Sequence, residues 1–213
     1  MRDDTRAGLT RQTMIETALR LLDEVGLDGL TVRRLAAELG VKSPSLYWHI
    51  RTKQDLLDGM ADTIIRAAGM GPPHEGESWQ DWLARRARSY RRAVLAHRDG
   101  ARLVATGQSL GAATIKALDQ ELAAMVERGF TPLLALDTIA AISRYVIGFV
   151  LQEQNERLPD RPVDNMADLL DGGTSAPLLV ALRAGGSMGE AAFEHGLRTL
   201  IDGTAAALTR LPR

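Results

Sequence analysis

The chain has 213 residues, 45% of them hydrophobic, which is enough for a sizeable core and excludes a disordered segment. Twenty-six lysines and arginines stand against 27 acids, for a formal net charge of −1, so attraction to nucleic acid or to a membrane has to be local. Cysteine is absent, which excludes disulfides, thiolate catalysis, Cys-ligated zinc and iron–sulfur clusters and fits a reducing compartment.

Met1–Thr10 is charged throughout and lacks the apolar stretch of a secretory leader, so a cytoplasmic protein is expected. Ile15, Ala18, Leu19, Leu22 and Val25 then recur at three- and four-residue intervals, the pattern of an amphipathic helix that Gly26 stops. Thr31 is placed to cap a helix over Val32–Leu39, ended by Gly40. Ser43-Pro44 reads as N-cap plus first-turn proline of a short helix, Pro44–His49. Another helix begins near Lys53 and passes Ile65, and Gly69-Met70-Gly71-Pro72-Pro73 forms the clearest break. Ser78 caps a long helix reaching about His97, and further helices are predicted over Ala113–Arg128, Pro132–Arg157, Ala176–Ala184 and Met188–Leu208. Gly129, Gly185 and Gly186 mark stops, and Leu158–Ser175, with two prolines and two adjacent glycines, predicts a mobile connection. The most apolar stretch, Leu133–Leu151, is interrupted by Asp137 and Arg144 and makes a poor membrane span. The fold class is all-α.

Residues 31–49 carry the most specific signal. Two short helices meet at a tight turn: Leu35, Ala36 and Leu46 face inward, Ala36 is small where the helices approach, Gly40 supplies the turn and Val41 plugs the corner. Leu19 and Leu22 close the small core. This is helix-turn-helix logic, with Pro44–His49 as the helix that enters a major groove. Between Gly29 and Gln54 the basic residues Arg33, Arg34, Lys42, Arg51 and Lys53 meet one acid, Glu38, a local charge of +4. Tyr47, Trp48 and His49 are consecutive on a short helix, so all three cannot face one core.

Three stretches resemble the tetracycline-repressor (TetR) family of bacterial transcriptional regulators: Gly29-Leu30-Thr31 through Leu35-Ala36 to Leu39-Gly40-Val41; Leu46-Tyr47-Trp48-His49 with Lys53 and Leu56-Leu57-Asp58; and Glu75-Gly76-Glu77-Ser78-Trp79-Gln80-Asp81 with His97-Arg98-Asp99-Gly100-Ala101. The third points to the subgroup around the tetracycline repressor itself. The resemblance implies a homodimer with an N-terminal three-helix helix-turn-helix DNA-binding domain, residues 9–54, and a larger helical domain, residues 55–213, that binds a small-molecule effector and dimerises. Carried over by position, Arg33, Ser43, Pro44, Ser45 and Tyr47 face base edges, while Trp48, His49 and Lys53 hold phosphates. Arginine grips guanine through O6 and N7, and proline and tyrosine offer apolar contact to a thymine methyl. Ser43 departs from the glutamine that tetracycline repressors place there, so the operator is expected to differ.

Those repressors hold a drug–magnesium complex, and the positions that align with their polar groups are here Gly69, Arg86, Val104, Gly107 and Gln152. Magnesium wants hard oxygen ligands and Val104 offers none, so a different effector is expected and no cofactor or metal. Arg86 and Tyr90, four apart on one helix, would suit an anionic or phenolic ligand; Leu118, Glu121 and Gln152 are further candidates. Two alternatives stay open: Arg85, Arg86, Arg88, Arg91 and Arg92 as a solvated basic face, and Glu121 as a surface charge. Leu134, Ile139, Ile142, Val146, Phe149 and Val150 cover more than one face of their helix, and Phe193, Leu197, Leu200, Ile201 and Leu208 form a narrower stripe. In the family the corresponding helices pair with their copies, although an internal core fits the same pattern. The four histidines are widely spread and no HExxH, GxSxG or glycine phosphate loop is present, so an enzyme is not expected. A DNA-binding regulator controlled by a protein partner is the alternative function.

Overall fold

The structure, a computed structural model, describes residues 9–155, 177–183 and 189–210, and among these it contains ten helices and no strand. They are α1 (Arg11–Gly29), α2 (Val32–Glu38), α3 (Ser43–Leu46), α4 (Lys53–Ala67), α5 (Trp79–Leu95), α6 (Gly100–Ala105), α7 (Ala112–Val126), α8 (Pro132–Asn155), α9 (Pro177–Arg183) and α10 (Gly189–Thr209). The predicted connection Leu158–Ser175 and the stops at Gly185 and Gly186 lie outside the described residues.

Helix starts follow local chemistry. The hydroxyls of Thr10, Thr31, Thr52 and Ser78 each accept the backbone N–H three residues on, at 3.0, 3.1, 3.0 and 3.1 Å. Each such cap contributes about 1 kcal/mol. At α3 the expectation needs correction: Lys42 is the cap residue and makes no side-chain bond, so Ser43 is already the first helical residue. The helix ends at Leu46, and Tyr47–His49 continue as a turn, with the Ile50 N–H donating to the Leu46 carbonyl at 3.1 Å.

α1–α3 pack round Met14, Leu22, Leu35, Leu46 and Ile50, all essentially without exposed surface. Gly40 adopts φ +65° and lets the Val41 N–H reach the Ala36 carbonyl at 3.0 Å, a conformation that costs other residues energy. The body is built on α8, which packs against α5, α6, α7 and α10. By length and composition α8 could cross a membrane, but it forms the centre of this helical body and a third of its apolar stretch is buried. Tyr145 and Phe193 stack with centroids 5.6 Å apart, and the Arg91 guanidinium lies 4.5 Å from the Phe193 ring centroid. α4 joins the two parts: Asp55 takes Arg11 of α1 at 2.7 Å, while Asp58 and Asp62 accept the Gln108 and Gly111 N–H groups at 3.0 and 2.7 Å. The division placed between residues 54 and 55 falls in the first turn of that helix.

The sequence reading missed α6. Its cap, Asp99, sits in the left-handed region at φ 56°, and its side chain accepts none of the helix's first backbone N–H groups. Its carboxylate instead accepts the Leu27 N–H at 2.8 Å. Gly26, the expected stop, is a kink at φ +71°; a side chain there would stand 2.9 Å from the Asp99 carboxylate. The same seam holds Asp23 against the Arg98 N–H at 2.9 Å and His97 Nδ1 at 3.1 Å, and Asp28 against Arg102 at 2.9 Å.

Gly26→Ala combines a positive φ with that close approach. It is expected to lower the free energy of unfolding by about 1–3 kcal/mol, measured by urea denaturation of the full chain; an unchanged midpoint would refute the account of the seam.

Candidate nucleic-acid interface and buried polar core

The eight predicted groups of the head lie on α2, on α3 and the turn after it, and at the start of α4. Arg33 on α2, Pro44 on α3, Tyr47, Trp48 and His49 in the turn after it, and Lys53 at the start of α4 are exposed, while Ser43 and Ser45 are half-buried. Trp48 keeps 88% of its surface and Tyr47 53%. Such exposure of two large aromatic groups side by side is what an unfilled contact surface looks like. None of the eight side chains makes a hydrogen bond or ion pair among the described residues. Arg34, Lys42 and Arg51 are also exposed and lack side-chain partners; they belong to the same basic surface, and their charge was the signal for them. The one acid of the stretch, Glu38, faces Arg20 of α1 at 3.5 Å, which leaves the local positive charge unopposed.

Four of the five arginines of α5 behave oppositely, which corrects the solvated-face alternative for them; Arg92 is exposed, bonds only Ser89 of its own helix at 2.8 Å and keeps that reading. Arg85 pairs with Glu77 at 2.7 Å, Arg86 with Glu121 at 3.0 Å, Arg88 with Glu194 at 2.6 Å, and Arg91 with Glu153 at 2.5 Å and with Glu190. Their partners come from the preceding loop, α7, α8 and α10, so these charges join the helices of the body.

The Arg86–Glu121 pair is the buried one. Glu121 has no exposed surface, which overturns its reading as a surface charge, and the Arg86 side chain is 12% exposed. Arg86 Nε donates to both carboxylate oxygens at 3.1 and 3.0 Å, and one amino group reaches Ser143 Oγ on α8 at 3.4 Å. Glu121 also accepts the Gly71 N–H at 3.1 Å, and the Gly71 carbonyl takes the Trp82 indole N–H at 3.0 Å. A buried ion pair is tolerated when such extra bonds satisfy its remaining groups. Tyr90, one turn beyond Arg86, is buried, and that burial pushes its hydroxyl up to about 12 against the opposing pull of Arg86. Ser143 and Gly71 had no signal in the sequence.

Among the remaining candidates, Val104 on α6 and Leu118 on α7 are half-buried and pack against the core. Gln152 is exposed and is not brought to the others. Its neighbours are the inward groups: Glu153 binds Arg91, and the Gln154 side chain takes the Ala101 N–H at 3.2 Å and donates to the His97 carbonyl at 2.8 Å. Clefts of about 660, 220 and 180 Å³ lie beside Asp23 and Asp99, beside Arg88 and Glu194, and beside Asp58 and Asp62. None of the three is lined by Arg86, Tyr90, Val104, Leu118, Glu121 or Gln152.

Residues 14–60 match the family model described as "Bacterial regulatory proteins, tetR family", and residues 72–208 match "Tetracyclin repressor-like, C-terminal domain". The class D tetracycline repressor of Escherichia coli is 41% identical over 210 residues, covering 96% of this chain and 93% of that protein. A TetR variant from Acinetobacter baumannii AYE, solved in complex with minocycline, superposes with TM-score 0.77 at 33% identity, over 96% of this chain and 97% of that one. BioQ, solved with its double-stranded DNA operator, superposes with TM-score 0.66 at 30% identity, over 93% and 99%.

Two outcomes test the local readings. Trp48→Ala is expected to leave unfolding free energy within about 0.5 kcal/mol of the parent, since the ring touches so little; a larger loss by denaturant titration would place it in the core. Glu77 is held at about 2 by its bonds from Arg85, opposed by burial and helped by the His74 N–H. A depressed carboxyl stabilises above its unfolded value and loses that contribution as pH falls through the folded one. Glu77→Gln is therefore expected to destabilise the fold at pH 7, with the difference from the parent closing between about pH 4.5 and pH 2; a gap independent of pH would refute it.

Proposed function

The chain belongs to the tetR family of bacterial regulatory proteins, and from that premise we propose a homodimeric repressor that grips a palindromic DNA operator and releases it when a small organic effector occupies the helical body. Regulators of this family are ligand-responsive DNA-binding repressors and not enzymes. The observation that carries the proposal is the head: a group of cations and aromatic residues exposed without a side-chain partner among the described residues.

Arg33, Ser43, Pro44, Ser45 and Tyr47 read base edges, and Trp48, His49 and Lys53 fix the phosphates. BioQ, a relative of similar fold, was solved on its operator. One four-residue helix and its turn give few base contacts, so two copies spaced by roughly 34–36 Å, one helical turn of DNA, supply the specificity. Apolar surface left uncovered on α8 supports pairing with a second copy: Leu133 and Leu136 are 68% and 44% exposed. Light scattering is expected to give twice the chain mass.

A tetracycline–magnesium complex does not fit the body. Val104 presents no oxygen, Gln152 is exposed, and the Glu121 carboxylate is already bound by Arg86 and Gly71. The effector has to bind one arrangement of the body better than another, and that preference reaches the heads through α4, whose carboxylates hold α1 at one end and the loop before α7 at the other.

Lys53→Ala is expected to weaken binding to all duplexes alike and to flatten the salt dependence by about one unit. Arg33→Ala should instead relax preference at one base pair, by about 1–3 kcal/mol. Fluorescence anisotropy on the operator and a scrambled duplex, across a salt series, distinguishes the two; identical behaviour would refute the assigned roles.

A further inference from the structure

Polar groups inside a helical body need partners, and those left without one mark where something else binds. The inner faces of α5, α7 and α8 are mostly apolar, with Leu83, Ala87, Met125, Ile139 and Val146 buried. Against this background three groups stand out. Thr114 Oγ1 is buried and has no hydrogen-bond partner. The Tyr90 hydroxyl and the Arg86 Nη2 amino group make no hydrogen bond among the described residues either, and within largely enclosed side chains both atoms keep some accessible surface, open to a ligand.

Their spacing defines a line. Thr114, Leu118 and Glu121 lie at i, i+4 and i+7 on the inner stripe of α7, so the Thr114 end and the Glu121 end are about 10 Å apart. Leu118, half-buried, sits between them. At the Glu121 end Arg86 and Tyr90 face in from α5. The charge there is already balanced, because Arg86 and Glu121 form a buried pair with Glu121 fully enclosed. A third charge would find no opposite. A carboxylate that captured Arg86 would strand Glu121 without its counter-ion, and a cation would meet Arg86 itself.

We propose, resting on the reading of the body as an effector site, that the effector is an uncharged, elongated organic molecule. It carries a carbonyl or amide at one end for Arg86 and Tyr90, an apolar middle against Leu118, and a second hydrogen-bonding group about 10 Å away for Thr114. Glu121 is the specificity determinant: by neutralising Arg86 it rejects anions that a free arginine would attract. The anionic ligand that the sequence suggested for Arg86 is thereby replaced.

The test uses the full chain and a panel of aromatic primary amides about 8–12 Å long that carry a hydroxyl at the far end, each paired with its carboxylic acid at pH 7.5 (6-hydroxy-2-naphthamide with 6-hydroxy-2-naphthoate is one pair), a length set by the helical rise between Thr114 and Glu121. Calorimetry measures binding, and anisotropy of a labelled operator measures release. In the parent, amides are expected to bind at least about tenfold more tightly than their acids, a difference of about 1.4 kcal/mol, and to release the operator. Glu121→Gln keeps an oxygen for Gly71 and Arg86 but frees the positive charge, and should reverse the order within each pair. Thr114→Val is nearly isosteric and removes a buried unpaired hydroxyl, so it should raise the Tm of the free protein while weakening amide binding about tenfold. That second variant answers the question if Glu121→Gln does not fold. Equal binding of acid and amide by the parent, failure of every amide to bind, an unchanged order in Glu121→Gln, or unchanged amide affinity in Thr114→Val each overturns the proposal. A parent chain that binds no operator overturns the repressor reading instead.

Discussion

One carboxylate sets the relation between head and body. Asp99 adopts a left-handed conformation at the start of α6 and spends its side chain on the Leu27 N–H of α1. It reaches that group because Gly26 has no side chain and turns the chain at φ +71°. Asp23 and Asp28 extend the same seam to Arg98, His97 and Arg102. A reading head is useful only if its position is defined relative to whatever moves it. Hydrogen bonds to backbone groups define position more strictly than apolar packing does, because they have direction as well as distance.

The distribution of paired and unpaired charge separates the two parts by task. In the body, Arg85, Arg86, Arg88 and Arg91 of α5 bind acids from other helices or from the preceding loop, three of them through two N–H groups at once. Such forks fix geometry and cancel the field. In the head, Arg33, Arg34, Lys42, Arg51 and Lys53 are exposed and their side chains form no ion pair among the described residues, and Glu38, the one acid of residues 29–54, faces Arg20. A chain with almost no net charge thus presents a concentrated positive face where a duplex would approach.

The buried Arg86–Glu121 pair follows the logic of the body and also limits what the body can accept. Bonded to the Gly71 N–H and to Ser143 of α8, it makes a polar, charge-balanced station in an apolar interior. α4 lies between this region and the head, bonded to both. Its carboxylates thus bond the loop before α7 at one end and α1 at the other.

The head was legible in the amino-acid order because its determinants are local. Capping threonines, a glycine at a tight turn, a proline in the first turn and an apolar stripe act within a few residues of each other, and so does the excess of positive charge. The long helices of the body were legible for the same reason, from period and stops. What escaped was everything decided by approach across the chain. α6 starts from a carboxylate whose partner is 72 residues away. Arg86, Arg91 and Arg88 find their acids 35, 62 and 106 residues away, so nothing in their own helix distinguishes a solvated arginine from a buried one. Glu121, expected either in a pocket or as a surface charge, is enclosed, and Gln152, expected in the pocket, is exposed, on the same ground: burial of a polar side chain depends on whether a partner arrives to satisfy it, and that is settled only when the helices pack.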